Sequence, residues 1–260
     1  MAAGTLSWVH PMSLRIAVDL DGTLADMDAA LQLEAERLFG PGVDLRGSLR
    51  GRPESVESET PDTAAAPPGD RPQTAPPASR RLTDRQQRQL WLCVQKTPNF
   101  WADLKEIEPG AVAKLAAMTA AHRWEVIFLT KRPQTAGSTA QVQTQHWLQS
   151  KGFPLPSVFV VQGSRGRIAA ALDLHIVVDD RPENCLDVVV DSKARAILVW
   201  REDEKLVPPG TRRLGIGVVK STAECLDILA EVDSLAATAE RPGVMHRVRR
   251  LFGLKEPTSV

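Results

Sequence analysis

At 260 residues, with 43% hydrophobic and 25% charged side chains, the chain can bury a substantial core and has room for one large domain with an accessory lobe. Its 32 basic and 32 acidic residues cancel to a formal net charge of zero, which excludes a global attraction to nucleic-acid polymers and leaves any anion to a local site. Widely spaced Cys93, Cys185 and Cys225 and scattered histidines form neither a disulfide framework nor a zinc pattern.

No apolar run reaches the roughly 20 residues of a membrane span, and the first residues lack a signal-peptide core. A soluble, cytoplasmic protein with no integral membrane contact is expected. Residues 14–20 form a short apolar run that reads as a strand, followed by a turn at Asp21-Gly22-Thr23. Leu31, Ala35, Leu38 and Phe39 then share one helical stripe, which stops at Gly40-Pro41.

Residues 41–80 change character: prolines from Pro41 to Pro77 sit among Gly, Ser, Thr, Glu and Arg with scarcely a large apolar residue. Such a stretch buries too little surface to offset its ordering entropy, so it reads as a disordered insertion. Order should resume at Thr83, whose spacing to Gln86 is that of a capping box, with Leu90, Trp91 and Val94 as an apolar face. The segment 99–104 reads as extended or turning and presents Phe100 beside Trp101. After Pro109-Gly110 comes an alanine-rich helix carrying Val112, Leu115 and Met118.

Residues 124–129 read as the second core strand, ending at Thr130-Lys131-Arg132-Pro133. A helix with Val142, Gln145, Trp147 and Leu148 follows, then a strand at 158–161, a short helix at 168–172 and a strand at 175–178. That last strand delivers Asp179 and Asp180. Pro182 opens another helix, 196–200 another strand, and Ser221 with Glu224 caps a helix containing Leu226, Ile228 and Leu229. Near the end, Val244, Val248, Leu251 and Phe252 oppose Arg247, Arg249 and Arg250, the pattern of a basic tail or a docked helix.

The alternation of short apolar strands with amphipathic helices predicts an α/β protein with a doubly wound, mostly parallel, Rossmann-like sheet and a small inserted helical cap. The expected division is a core of residues 12–25 and 111–236, a cap of residues 26–110 holding the insertion, and a terminal segment of residues 237–260.

Two acidic motifs carry the chemistry. In DLDGTLAD, alternate residues of a strand share a face, so Asp19 and Asp21 can enter a common pocket while Gly22 permits a close bend. Asp19 is then placed to attack an electrophile and Asp21 to exchange a proton. Asp179 and Asp180 end a second strand; a parallel sheet brings both pairs to one edge, where so dense an acidic patch repels itself unless a cation joins it. Magnesium is the expected cofactor, with Asp179 as first ligand of the second motif. Asp180 is either a direct ligand, the holder of a metal-bound water, or an orienter of neighbouring basic groups. Thr130 at a strand end can bind a phosphoryl oxygen, and Lys131 and Arg132 either contact phosphate or stay at the pocket rim.

In this order, DLDGT, a strand ending in Thr130, a basic residue in SRG and VVDD resemble the haloacid dehalogenase-like phosphohydrolase superfamily. The resemblance spans about residues 14–191. It implies magnesium-dependent phosphoryl transfer in which Asp19 forms an aspartyl-phosphate, Asp21 protonates the leaving oxygen and then assists water, and Thr130 binds the phosphoryl group. It also implies metal ligation by Asp19, by Asp21 through its backbone carbonyl, and by Asp179. One departure stands out: the family's usual lysine before the last acidic pair is absent, and Arg165 is its counterpart here, with a planar fork in place of an ammonium. Lys131 is a second source of positive charge.

The segment NFWADLKEIEPGAVAKL followed by LTKRP further resembles helical-capped 5'-nucleotidases and deoxyribonucleotidases. By that resemblance Phe100 and Trp101 fall where aromatics contact a pyrimidine base, with a hinge role as the alternative. The expected function is therefore magnesium-dependent hydrolysis of a small phosphorylated metabolite, a nucleoside monophosphate being the preferred class. Two alternatives stay open: a phosphate-sensing or partner-binding protein with weak turnover, and a phosphotransferase or phosphomutase.

Overall fold

A computed structural model describes residues 13–45 and 80–237. In chain order the elements are β1 (Arg15–Asp19), α1 (Met27–Phe39), β2 (Val43–Asp44), β3 (Arg80–Arg81), α2 (Asp84–Lys96), α3 (Ala111–His122), β4 (Glu125–Thr130), α4 (Ala140–Ser150), β5 (Ser157–Val160), α5 (Arg165–Ala171), β6 (Ile176–Asp179), α6 (Pro182–Asp191), β7 (Arg195–Val199), β8 (Gly217–Val219) and α7 (Thr222–Ala237). The proline-rich stretch at 46–79 and the basic segment from residue 238 lie outside the described residues. None of the described helices is long and apolar enough to cross a membrane.

The chain divides into two compact units: Met1–Met27 with Pro98–Val260, and Asp28–Thr97. The larger unit holds a six-stranded sheet in the order β5-β4-β1-β6-β7-β8, every pairing parallel. Parallel strands joined by crossover helices are covered on both faces, which is why β6 reads as an unbroken apolar run whose residues are all buried. Ala17, Leu129, Val177 and Leu198 on one side pack with Ala169 of α5 and Cys185 and Val188 of α6. Ile16, Val18 and Phe128 are equally buried, so neither face of the sheet is left to water. The doubly wound, parallel α/β fold read from the sequence is the fold observed.

Local chemistry sets the helix ends. Thr139 accepts from the Val142 N–H at the start of α4, and Pro182 opens α6 where its missing N–H costs nothing. Helix α5 starts three residues before the predicted short helix, because the Ser164 hydroxyl caps the Gly166 and Arg167 N–H groups. That shift puts Arg165 in the first turn. The segment after Asn99 closes as a single 3-10 turn, Phe100–Ala102, with the rings of Phe100 and Trp101 edge to face at 5.0 Å. Two features escaped the sequence reading. Strand β8 has only three residues and begins at a glycine, and the β2–β3 ladder has two residues per strand, too few for any period to register.

Outgoing and returning chain meet at the edge of the larger unit. Ala25 bridges Glu106 antiparallel, the Asp26 N–H donates to Lys105 O at 2.9 Å, and the Ile107 N–H donates to Leu24 O at 2.9 Å. In the smaller unit, Thr83 and Gln86 form the anticipated capping box on α2. Gln32 of α1 ties down the β2 segment, donating to Val43 O at 2.6 Å and accepting from the Leu45 N–H at 3.3 Å.

Candidate active site

Strand β1 sits mid-sheet. The chain proceeds from it to β4 and β5 on one side, then crosses back to lay β6, β7 and β8 on the other. The two halves part between β1 and β6, and in open parallel sheets ligands bind in the crevice beyond the carboxyl ends of the strands at such a reversal. Asp19 is the last residue of β1 and Asp179 the last of β6; the register Val18↔Val178 sets them level. Thr130 ends β4 one residue past Leu129, the partner of Asp19.

The first cluster is acidic with one cation inside it. Asp19, Asp179 and Asp180 offer carboxylate oxygens that all lie within 4.8 Å of one another. Asp179 is wholly buried; its Oδ1 accepts from the Arg181 N–H at 2.9 Å and from Asn184 Nδ2 at 3.0 Å, and its Oδ2 accepts from the same Asn184 amide at 3.0 Å. Arg165, 2% exposed, donates from Nη2 to Asp19 Oδ1 at 2.6 Å and sets Nε 3.6 Å from Asp179 Oδ2. Its Nε and Nη1 have no hydrogen-bond partner among the described residues.

Burial pushes the Asp19 carboxyl well above the ordinary carboxylate range, and Asp179, Asp180 and Asp21 add to the rise while Arg165 opposes it. Asp179 is also raised by burial, with Arg165, the Asn184 amide and the Arg181 N–H pulling the other way. Gly22, with φ +95°, crosses behind this cluster, and a Cβ there would run into the Asp180 carboxylate. Glycine is thus required by both the left-handed backbone and the close approach.

The second cluster is built on Asp21. Thr130 Oγ1 donates to Asp21 Oδ2 at 2.8 Å. Arg132 Nε donates to Oδ1 and Oδ2 at 2.9 and 3.0 Å, and Nη2 donates to Oδ1 at 2.7 Å. The remaining nitrogen of Arg132, Nη1, donates to Thr144 Oγ1 at 2.9 Å. Trp101 is wholly buried, donates from Nε1 to Pro133 O at 2.9 Å, and has its ring centroid 5.4 Å from the guanidinium carbon of Arg132. Phe100 is half-buried against it, and Lys131, between Thr130 and Arg132, is half-buried as well.

The residues singled out in the sequence therefore fall into two groups: Asp19, Asp179, Asp180 and Arg165 in one, and Asp21, Thr130 and Arg132 in the other, with Trp101 and Phe100 behind Arg132. Several site residues were not foreseen. Asn184 lies five residues after Asp179, in the first turn of α6, a spacing that brings its amide back onto the carboxylate and was visible in DDRPEN. Arg201 gave no such signal. It follows β7 and donates to Gly22 O at 2.7 Å, Thr23 O at 3.0 Å and Glu108 Oε1 at 2.6 Å, while Glu108 accepts from the Thr222 and Ala223 N–H groups. This strut pins the turn that follows Asp21.

The donor set of the first cluster suits a hard divalent cation: all oxygen, anionic, buried at Asp19 and Asp179 and half-buried at Asp180, and gathered at one sheet edge. Such an ion would offset the mutual repulsion of the carboxylates.

Neither a scan against protein-family models nor a search of curated proteins finds a match. Among solved structures, a phosphonoacetaldehyde hydrolase-like protein from Oleispira antarctica is similar at 14% identity and a TM-score of 0.47, over 93% of this chain and 100% of that one. A haloacid dehalogenase-like family hydrolase from Xanthomonas campestris is similar at 13% identity and a TM-score of 0.46, over 88% of this chain and 95% of that one.

Proposed function

We propose that the protein is a magnesium-dependent phosphomonoesterase of the haloacid dehalogenase type, working through a phosphorylated Asp19. One observation carries the reading: a cation-ready set of three carboxylates stands with a buried arginine, Arg165, whose Nη1 has no hydrogen-bond partner among the described residues. An unpaired buried N–H costs about 1–3 kcal/mol, so such an arrangement suits a complex of a divalent cation and an anionic oxygen better than it suits an empty core.

Asp19, Asp179 and Asp180 would hold the cation, with the Asp21 backbone carbonyl as a further oxygen. When bound, the ion offsets the charge between substrate phosphate and the acids. The residues then divide the work. A carboxylate oxygen of Asp19 forms the new bond to phosphorus as the bond to the leaving oxygen breaks, and Asp21 gives that oxygen its proton. Water next attacks phosphorus, the bond to Asp19 breaks, and Asp21 takes the proton back. Arg165 compensates charge on the equatorial oxygens, with Lys131 at the rim, while the Thr130 hydroxyl is given to Asp21.

Nucleoside monophosphates are the first substrates to test, with sugar phosphates and phosphorylated amino acids beside them. Phe100 is the aromatic with surface left to meet a base, since Trp101 is spent inside. A second reading, phosphate binding with little turnover, draws support from the short Arg165 contact to Asp19, which engages an oxygen of the proposed nucleophile. Purified protein assayed across these esters, with and without magnesium, separates the two. Magnesium-dependent phosphate release that disappears in Asp19→Asn supports the esterase. Saturable phosphate binding with no release on any ester supports the second reading, and neither binding nor release overturns both.

A further inference from the structure

We propose that Arg132 is a positioning residue for Asp21, held rigid by a tryptophan cage, and makes no contact with substrate. This deepens the hydrolase reading and rests on it.

The guanidinium is 2% exposed and each of its three nitrogens donates inside the protein: Nε and Nη2 to Asp21, Nη1 to Thr144. Nothing in that allocation reaches outward, whereas Thr-Lys-Arg-Pro in the sequence allows Arg132 either a phosphate contact or a place at the pocket rim. The Thr144 hydroxyl donates onward to Ala140 O at 2.7 Å, so the acceptor for Nη1 is itself oriented.

Two indoles flank the cation, with ring centroids 5.4 Å (Trp101) and 6.0 Å (Trp147) from its central carbon, close enough for attraction to the ring faces. Each indole is pinned by its own N–H, Trp101 to Pro133 O at 2.9 Å and Trp147 to Leu104 O at 2.7 Å. The Trp101 backbone N–H donates to Gln143 Oε1 at 3.0 Å, and the Gln143 amide donates to Thr135 Oγ1 at 2.9 Å and Ser138 O at 2.6 Å. The arginine is thus hydrogen-bonded at every nitrogen and packed against two pinned rings.

A planar fork locked in this way permits its carboxylate partner one orientation, which the Thr130 hydroxyl reinforces from the β4 end. An acid that must meet a leaving oxygen works only at hydrogen-bond reach and the right angle, and misplacement by about 1 Å costs on the order of 100-fold in rate. The demand is unequal across substrates. Alkyl esters need their leaving oxygen protonated, whereas p-nitrophenolate departs without a proton.

The test is Arg132→Lys, which keeps the charge and removes the fork, assayed with magnesium on an alkyl phosphomonoester and on p-nitrophenyl phosphate. Expected is a fall in kcat/KM, which reports the transfer of the phosphoryl group to Asp19 and not the later hydrolysis common to both esters, of about 10- to 100-fold on the alkyl ester and a much smaller one on the nitrophenyl ester. Loss of kcat/KM by the same factor on both esters, or no loss on either, overturns the positioning role. If Arg132→Lys does not fold, Thr144→Val removes only the Nη1 acceptor and should show the same inequality at smaller amplitude; equal losses there overturn the role likewise. Wild-type protein inert on every ester sinks the hydrolase reading and this role with it, whereas active wild type with equal losses sinks the role alone.

Discussion

Replacing Gly22 by alanine probes the join between backbone and carboxylate cluster. At φ +95° an alanine carries the left-handed penalty of roughly 1–2 kcal/mol, and its methyl also lands on the Asp180 carboxylate, adding an overpacking cost of about 1–3 kcal/mol. Gly110 supplies the control: φ is +83°, and a Cβ there meets nothing within 4 Å, so Gly110→Ala isolates the backbone penalty. Urea denaturation should place Gly22→Ala about 2–5 kcal/mol below the parent and Gly110→Ala only about 1–2 kcal/mol below it. Calorimetric magnesium titration should find affinity weakened in Gly22→Ala alone, because only there is a carboxylate of the cluster displaced. Equal destabilisation of the two variants with unchanged magnesium affinity would refute the claim that Gly22 is required by Asp180.

Because Asp19 and Asp179 both sit above their ordinary range, the folded protein holds more protons than the unfolded chain between that range and the raised one. Their contribution is present at low pH and drains away as pH climbs through the window, while Glu34 and Glu108, both lowered, contribute above the usual carboxylate range and lose that contribution below it. Without divalent cations, stability should therefore decline as pH climbs above the ordinary carboxylate range, and magnesium should raise the Tm more at the upper end of that climb; a flat or rising cation-free profile contradicts this. Arg201→Met removes a charged donor from Gly22 O, Thr23 O and Glu108 at once and should cost about 1.5–3 kcal/mol by urea denaturation, with a change inside about 0.5 kcal/mol counting against the strut.

Much of this was legible in the residue order, for physical reasons that differ from element to element. Buried parallel strands are written as unbroken apolar runs, so β1, β4, β6 and β7 could be found; a polar group at the end of such a run belongs to a sheet edge, so Asp19, Thr130 and Asp179 could be placed together in advance. Thr83 and Gln86 announced α2 because a capping box is a local interaction. Partnership across the chain was hidden. Arg132 and Asp21 are 111 residues apart, and nothing in Thr-Lys-Arg-Pro tells a rim arginine from one turned inward between two indoles. Arg201, 179 residues from Gly22, follows a strand as many solvent-facing arginines do.

Everything chemical depends on the acids that end β1 and β6 sharing one divalent ion. Anomalous diffraction from a crystal equilibrated with manganese tests that directly. The expected result is a single strong peak in coordination contact with carboxylate oxygens of Asp19 and Asp179, lost in Asp179→Ala. Saturating manganese with no peak between those two side chains, or a peak that persists in Asp179→Ala, would contradict it.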